Sequence, residues 1–212
     1  MKIIYIYCQT RYILDEGEFM KKQKSRILLL AEHSILETDR LILRPLTLED
    51  AEDIFEYTSD EETMRYIFQP HTSLNQTKEF IANYYLTSPL GFYALEYKEN
   101  HKMIGVVEFR IDEKKHEGEI GYMLNKNYWG KGLTTEACLR ILSLGFDTLF
   151  LERIVSGHDA GHTASGNLLK KVGMTFETIA KDTHEVRGEM VDTFLYEITK
   201  DAYFTSHHKT TY

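Results

Sequence analysis

One short segment constrains the fold of this chain more than any other. Residues 127–132 read Asn-Tyr-Trp-Gly-Lys-Gly, and they join a strand-like run at 118–124 to a helical apolar pattern over 134–146. A second strand-like run follows at 151–157, and strands joined through a helix in this way pair in parallel through a right-handed crossover. Glycines let the loop backbone approach a ligand closely, and the free N–H groups of a helix's first turn favour an anion. The segment therefore predicts a parallel crossover whose loop binds an anion.

The patterns on either side of this crossover predict the rest of a mixed α and β fold. A helix begins at Thr47 and Asp50, which have the spacing of a capping box. Further helices are predicted over 73–86 and 163–173, and further strands over 41–43, 91–97, 102–111, 174–180 and 190–198. We expect a central, mostly antiparallel sheet of about seven strands that is flanked by helices.

The clear patterns occupy only part of the chain. We expect one domain over 37–200, an N-terminal extension of uncertain order over 1–36, and a C-terminal tail over 201–212. The extension contains a second candidate start at Met20. Its first residues, "MKIIYIYC", are too short an apolar run for a signal peptide, which needs about 7 to 15 such residues. We therefore expect a protein without a leader sequence.

Composition excludes several classes of function. The formal net charge of -8 argues against a general binder of nucleic acids or anionic membranes, since both require a positive surface. Such a charge suits a cationic or amine-bearing partner. The two cysteines, Cys8 and Cys138, are far apart in sequence and form neither a disulfide framework nor a metal motif. We therefore expect a cytoplasmic protein without a metal site.

Two other interpretations of the glycine loop are open. A Walker-type nucleotide loop requires Gly-x-x-x-x-Gly-Lys-Ser/Thr, but here Gly132 stands where the hydroxyl residue belongs, and the upstream glycine is absent. Alternatively, the glycines serve only as a turn that connects a strand to a helix. Neither alternative explains the segments that surround the loop.

Four segments together identify a family. They are "ETDRLILRPLTLEDAEDIF" (37–55), "GEIGYMLNKNYWGKGLTTEA" (118–137), "TASGNLLKKVGM" (163–174) and "GEMVDTFLYEI" (188–198). In these segments the chain resembles the GNAT superfamily of N-acetyltransferases, and within it the RimJ/RimL-like branch of ribosomal-protein-alanine N-acetyltransferases. The resemblance implies a GNAT fold in which a splayed parallel strand pair holds acetyl-CoA as cosubstrate. It also implies direct acetyl transfer to a primary amine in a ternary complex.

The resemblance assigns residues to the cosubstrate. The family's phosphate loop, Gln/Arg-x-x-Gly-x-Gly/Ala, matches 127–132 with Asn127 in its first place. This match implies that the pyrophosphate is held by the amides of Gly130, Lys131, Gly132, Leu133 and Thr134. By the same resemblance Met123 and Leu124 lie beside the pantetheine arm, and His162 stands where the family usually has an asparagine that contacts the cofactor.

The resemblance also suggests catalytic groups. Glu119 is the candidate base. The alternative bases are Glu108 and a bound water, and the alternative role of Glu119 is that of a carboxylate that only faces solvent. An α-amine has a pKa of about 8, so a carboxylate or a water is basic enough at neutral pH. Ser165 is the candidate donor to the leaving sulfur, although a serine at a helix start is also a common cap. The tyrosine that many family members use as an acid corresponds to Leu169.

The acceptor and the remaining candidates are less constrained. Asp192 matches a residue near the acceptor pocket of the branch, and fold support is its alternative role. Cys138 is expected to be an inert core residue, and His158 with His162 lacks a third metal ligand. The acceptor is expected to be a protein N-terminal α-amine, with a polyamine or an antibiotic as the alternative. The protein is expected to be a monomer or a homodimer. The rival function is that of an inactive sensor that binds acyl-CoA.

Overall fold

The computed structural model describes residues 24–186 and 188–207. Over these residues the helices are α1 (Arg26–Glu32), α2 (Ala51–Thr58), α3 (Leu74–Phe80), α4 (Leu133–Ser143), α5 (Thr163–Lys171) and α6 (Lys200–His207). The strands are β1 (Leu36–Glu37), β2 (Leu41–Arg44), β3 (Phe92–Tyr97), β4 (Lys102–Asp112), β5 (Glu117–Leu124), β6 (Arg153–Asp159), β7 (Thr175–Val186) and β8 (Glu189–Thr199). One π-helical turn extends α3 over Ile81–Tyr85, and another extends α4 over Leu144–Thr148.

The described strands form one sheet in the order β1-β2-β3-β4-β5-β6-β8-β7. Neighbouring strands are antiparallel except β5 and β6, which α4 connects as a parallel pair. The predicted mixed, mostly antiparallel sheet with its parallel crossover is thus confirmed. The sheet has eight strands rather than about seven, because the two-residue β1 adds an antiparallel edge beside β2.

Helices cover both faces of the sheet. Residues of α2 and the end of α3 pack on one face around Ile54, Tyr57 and Tyr85. The larger core, on the other face, includes apolar residues of α4, α5 and α1. Side chains on β4 alternate between the two cores, since Val106 belongs to the first and Val107 to the second. The sheet is therefore the middle layer of three.

The parallel strands separate part of the way along their length. Backbone pairing joins Glu117–Glu119 to Arg153–Val155 and does not continue over Ile120–Leu124. At the point of separation, the Ser156 hydroxyl donates a hydrogen bond of 2.7 Å to the Ile120 carbonyl. The second half of β5 is therefore unpaired on the side that faces β6, although it stays paired with β4 on the other side.

Both predicted domain boundaries fall within regular structure. The boundary at 36/37 lies within β1, and α1 before it buries Leu30 in the larger core. The boundary at 200/201 lies within α6, whose Tyr203 ring stacks on Phe146 at 4.7 Å between centroids. Residues 1–23, with Cys8 and Met20, and residues 208–212 lie outside the described chain. Of the described helices, none is both long and apolar enough to span a bilayer, and the cytoplasmic location stays a prediction.

Candidate active site

The glycine loop leaves the start of α4 without a side-chain cap. Gly130 and Gly132 have φ angles of 73° and 77°, in the left-handed region that glycine adopts without strain. Gly132 occupies the N-cap position, and within the described chain no side chain accepts a hydrogen bond from the first turn there. A helix start of this kind offers free N–H groups and the positive end of its dipole. The geometry suits an anion.

The Lys131 side chain does not point its charge at that helix start. Its Nζ lies 4.9 Å from the centre of the Tyr128 ring, a cation–π contact. The backbone of the loop, rather than the lysine charge, is thus what faces a ligand.

A salt-bridged arginine holds the loop in place. Arg40 donates from Nη1 to the Lys131 carbonyl at 2.8 Å and from Nε to Glu136 Oε2 at 2.7 Å. The Arg40 amide also donates to Glu136 Oε1 at 2.9 Å. Because Glu136 lies in the first turn of α4, these contacts fix the loop to the helix and to the start of β2. We refer to Arg40 and Glu136 as the loop clamp.

The gap between β5 and β6 leads into a cavity of about 520 Å³, which we call the donor cavity. The end of β5, the glycine loop, the start of α5 and residues 62–67 form its walls. The walls include most residues that the resemblance assigned to the cosubstrate, namely Met123, Leu124, Gly130, Gly132, Leu133, Thr134 and His162. Ser165 also lines it, whereas Lys131 and Glu119 are not part of its walls.

Ser165 hydrogen-bonds to a tyrosine within the donor cavity. The Tyr122 hydroxyl on β5 and the Ser165 Oγ on α5 are 2.7 Å apart. Burial raises the pKa of the Tyr122 phenol, so the ring stays neutral over the physiological range. The pair thus joins the two sides of the cavity through protonated hydroxyls.

His162 makes an aromatic contact. Its ring stacks on Tyr66, with 4.5 Å between the centroids and 14° between the planes. Burial, with a smaller contribution from His158, lowers the pKa of His162. The imidazole is therefore neutral at pH 7.

The two candidate carboxylates lie on the face that α2 and α3 cover. Glu119 is exposed and is the last β5 residue that pairs with β6. Glu108 on β4 is mostly buried, and burial raises the pKa of its carboxyl despite the nearby Arg110. Tyr84 and Arg110 donate to Glu108 Oε2 at 3.1 and 2.8 Å. The two carboxylates thus differ in accessibility.

The other candidates have structural partners. Asp192 accepts from Lys181 Nζ at 2.5 Å, and this contact lowers the pKa of its carboxyl. Cys138 is fully buried, which raises the pKa of its thiol to about 12 and makes it unreactive. His158 is buried beside Tyr196. Among residues 24–186 and 188–207, no three or more histidine, cysteine, aspartate or glutamate side chains form a group able to hold a metal ion.

A second cavity of about 590 Å³ adjoins the donor cavity, and we call it the acceptor cavity. It lies between the end of β6 and the hairpin of β7 and β8. Its walls carry the carboxylates Asp159, Glu189 and Asp192 together with Arg65 and several apolar side chains. Because acidic groups outnumber basic ones on these walls, the cavity suits a ligand that carries a positive charge.

Sequence reasoning missed three features of this region. Tyr122 could have been found, because alternation along β5 puts it on the face opposite Glu119, toward α4 and α5. The loop clamp joins residues 96 positions apart, which no local pattern reveals. Tyr66 lies in a connection between helices, where neither helical nor strand periodicity applies.

Comparisons with known proteins identify the family. A family model described as the acetyltransferase (GNAT) domain matches residues 40–175. The uncharacterized N-acetyltransferase p20 of Bacillus licheniformis is 32% identical over 173 residues, covering 79% of this chain and 97% of that protein. The ribosomal protein uS5-alanine N-acetyltransferase of Escherichia coli is 26% identical, covering 77% and 90%. The chain therefore belongs to the GNAT acetyltransferase family and is an N-acetyltransferase.

Solved structures share the fold. A GNAT-family acetyltransferase from Bacillus anthracis has a TM-score of 0.71 and 26% identity, covering 79% of this chain and 99% of that one. The microcin C7 self-immunity acetyltransferase MccE, solved with acetyl-CoA and AMP, has a TM-score of 0.69 and 22% identity, covering 76% and 93%. The predicted GNAT fold and the family resemblance are confirmed.

Proposed function

We propose that this protein transfers an acetyl group from acetyl-CoA directly to a primary amine while both substrates are bound. The observation that carries the proposal is the uncapped start of α4, behind Gly130 and Gly132, at a cavity along the unpaired half of β5. A pyrophosphate fits the free N–H groups of such a turn. A narrow arm that carries amide groups fits the gap where β5 is no longer paired with β6.

The residues present fit acetyl-CoA. A Cβ added at Gly130 would have no atom within 4 Å, so the space before the loop is open to a ligand. The amides from Gly130 to Thr134 would hold the pyrophosphate, and Met123 and Leu124 would line the pantetheine arm. The bound cosubstrate supplies an acetyl thioester as the activated acyl group. The acetyl-CoA complex of MccE, a protein of the same fold, supports this assignment.

Glu119 is the proposed base. It lies at the point where β5 and β6 separate, and its exposure gives an incoming amine or an ordered water access to its carboxylate. Removing a proton from the ammonium form leaves the nitrogen lone pair free to attack. Glu108 is the alternative, since its raised pKa is closer to neutrality. However, Tyr84 and Arg110 already donate to one of its oxygens.

Ser165 is the proposed proton donor to the leaving sulfur. It lines the donor cavity on α5, and the Tyr122 hydroxyl hydrogen-bonds to its Oγ. The Tyr122 hydroxyl orients Ser165 through that bond, and the proton that Ser165 gives to the sulfur is restored from solvent once CoA leaves. The donor and the base then act from opposite faces of the sheet.

The acceptor is proposed to be the α-amine of a protein N-terminus. The similarity to an enzyme named for alanine on ribosomal protein uS5 supports this class. Small amines such as polyamines or antibiotics are the second class, and the acidic side chains of the acceptor cavity favour a cation of that kind. Asp192 is engaged by Lys181, and Asp159 Oδ1 lies 3.2 Å from His184 Nε2, so Glu189 is the carboxylate proposed to meet the amine.

An amine panel tests the proposal. The full chain is incubated with acetyl-CoA and with peptides of differing N-terminal residue, polyamines and aminoglycosides, and the products are identified by mass spectrometry. Acetylation of at least one amine, with release of one CoA per product, is expected. Binding of CoA with no product from any amine would instead favour a sensor module.

A further inference from the structure

A single aromatic ring lies between the donor and acceptor cavities. Arg65, Tyr66 and Gly161 belong to the walls of both. Tyr66 supplies the ring among these shared residues, and it is half-buried. The two cavities therefore meet at Tyr66, together with Arg65 and Gly161.

Three contacts hold the Tyr66 ring. His162 stacks on it at 4.5 Å, and the Arg65 guanidinium carbon lies 5.3 Å from the ring centre. A Cβ at Gly161 would lie only 3.3 Å from Tyr66 Cε1, so the ring packs directly against the backbone there. Within the described chain the Tyr66 hydroxyl makes no hydrogen bond. Ring contacts therefore hold Tyr66, and its hydroxyl does not.

We propose that the Tyr66 ring, held by His162, is a partition between the two cavities that shields the bound thioester from water until an amine enters. This inference rests on the proposed function, because it requires the acetyl donor on one side and the amine on the other. Tyr66 is thus a positioning residue. His162 supports it, in place of the asparagine contact to the cofactor that the family resemblance implies.

Loss of the partition has a defined chemical consequence. Water can then reach the acetyl carbonyl from the acceptor cavity. Addition of water breaks the C–S bond and releases acetate, CoA and one proton. An enzyme without the Tyr66 ring should therefore release CoA when no amine is present. It should also accept amines with bulkier groups beside the nitrogen, because the passage is wider.

The experiment compares Tyr66→Ala, Tyr66→Phe, His162→Ala and the control Phe176→Ala with the unaltered protein. Phe176 is an exposed aromatic residue of β7 outside both cavities. CoA release from acetyl-CoA is followed with and without amine, CoA affinity is measured by calorimetry, and melting temperature reports folding. Tyr66→Ala should raise amine-independent release roughly 2- to 10-fold, the effect of losing an aromatic pair. CoA affinity should stay within about twofold, because the amides proposed to hold the pyrophosphate lie at the glycine loop and not at Tyr66.

The remaining variants separate the ring from the hydroxyl. Tyr66→Phe should return amine-independent release to the low rate, because the stack is kept. His162→Ala should raise release by a smaller factor than Tyr66→Ala. Phe176→Ala should leave it unaltered.

Two results would overturn the inference. If the unaltered protein acetylates amines and Tyr66→Ala releases CoA no faster without amine, the partition is wrong while the proposed function stands. If Tyr66→Ala only weakens CoA affinity, Tyr66 is a cofactor contact instead. An unaltered protein that binds no acetyl-CoA and releases no CoA would overturn the proposed function itself.

Discussion

At the scale of single residues, the hydrogen bond between Tyr122 and Ser165 gives the most specific expectation. Tyr122→Phe removes the phenol hydroxyl but keeps the ring. Because one hydrogen bond is worth about 0.5–1.5 kcal/mol, kcat should fall roughly 2- to 10-fold, with little change in the KM for acetyl-CoA. Steady-state kinetics at saturating amine measure both.

Tyr93→Phe is the matched control for this variant. The Tyr93 hydroxyl donates to the His33 carbonyl at 3.1 Å, away from the cavities, so its loss should lower the melting temperature and leave kcat unaltered. An unaltered kcat in Tyr122→Phe would show that proton donation by Ser165 does not require the hydrogen bond to Tyr122.

The assignment of the base has its own pH signature. Glu119→Gln removes the proton acceptor, and a general base contributes typically 10²–10⁴-fold, so kcat should fall by about 100-fold. The loss should be greatest at low pH, where less of the amine is already free. Initial rates across pH, compared with those of Glu108→Gln, decide between the two carboxylates. A larger loss in Glu108→Gln would transfer the role to Glu108.

The raised pKa of Glu108 predicts how stability depends on pH. A carboxyl whose pKa is higher in the folded state binds more protons there than in the unfolded chain. Its contribution to stability is therefore lost as pH rises from the unfolded pKa of about 4.3 through the folded pKa. Glu108→Gln should remove this slope, so the variant gains stability relative to the unaltered protein between pH 4 and pH 7. Urea unfolding at pH 4 and at pH 7 measures this difference in the free energy of unfolding. If Glu108→Gln gains no stability relative to the unaltered protein, burial does not raise the pKa of Glu108.

Residue-level prediction from sequence succeeded where the signal was local. The Thr47 and Asp50 capping box formed as predicted, because four consecutive residues contain both partners. Contacts such as Tyr122 with Ser165, which lie 43 residues apart, depend on how elements pack. The same holds for the burial of Glu108, which α3 and its following turn create through Tyr84.

At the scale of elements, the loop clamp is expected to set the affinity for acetyl-CoA. Arg40→Ala removes the hydrogen bond to the Lys131 carbonyl and the ion pair with Glu136. The glycine loop then loses its fixed shape, and the KM for acetyl-CoA should rise roughly 5- to 10-fold, the effect of about one or two hydrogen bonds. Arg40→Lys should not restore it, because one ammonium cannot make the forked contact.

Lys98→Ala is the control for the clamp. Lys98 forms a nearby ion pair with Glu37 but does not contact the loop, so this variant should leave the KM for acetyl-CoA unaltered. An Arg40→Ala enzyme with the same KM as the unaltered protein would mean that the loop holds its shape without the clamp.

Element boundaries differ from the sequence predictions for identifiable reasons. Strand β1 escaped prediction because two residues carry no periodicity, and only its pairing with β2 defines it. Strand β7 extends to Val186, beyond the predicted end at 180, because register shifts let it stay paired with β8. The parallel crossover was predictable, since glycines mark where the strand ends and α4 begins.

At the scale of the whole molecule, the fold brings the loop, the unpaired half of β5 and the start of α5 around one cavity. The sequence predicted the layers and the sheet type, because alternation and helical periodicity are spread over the whole chain. It did not predict the acceptor cavity, whose walls come from three distant segments. The reaction is defined by the two ligands that these cavities bind at the same time, which we propose to be acetyl-CoA and an amine.

A crystal structure with CoA bound is the sharpest test of the proposed acetyl-CoA site. We expect the pyrophosphate within hydrogen-bonding distance of the amides from Gly130 to Thr134, with the pantetheine arm in the gap between β5 and β6. The sulfur should then lie near Ser165, on the donor side of Tyr66. CoA bound elsewhere, or a pyrophosphate held without the glycine loop, would show that the donor cavity is not the acetyl-CoA site.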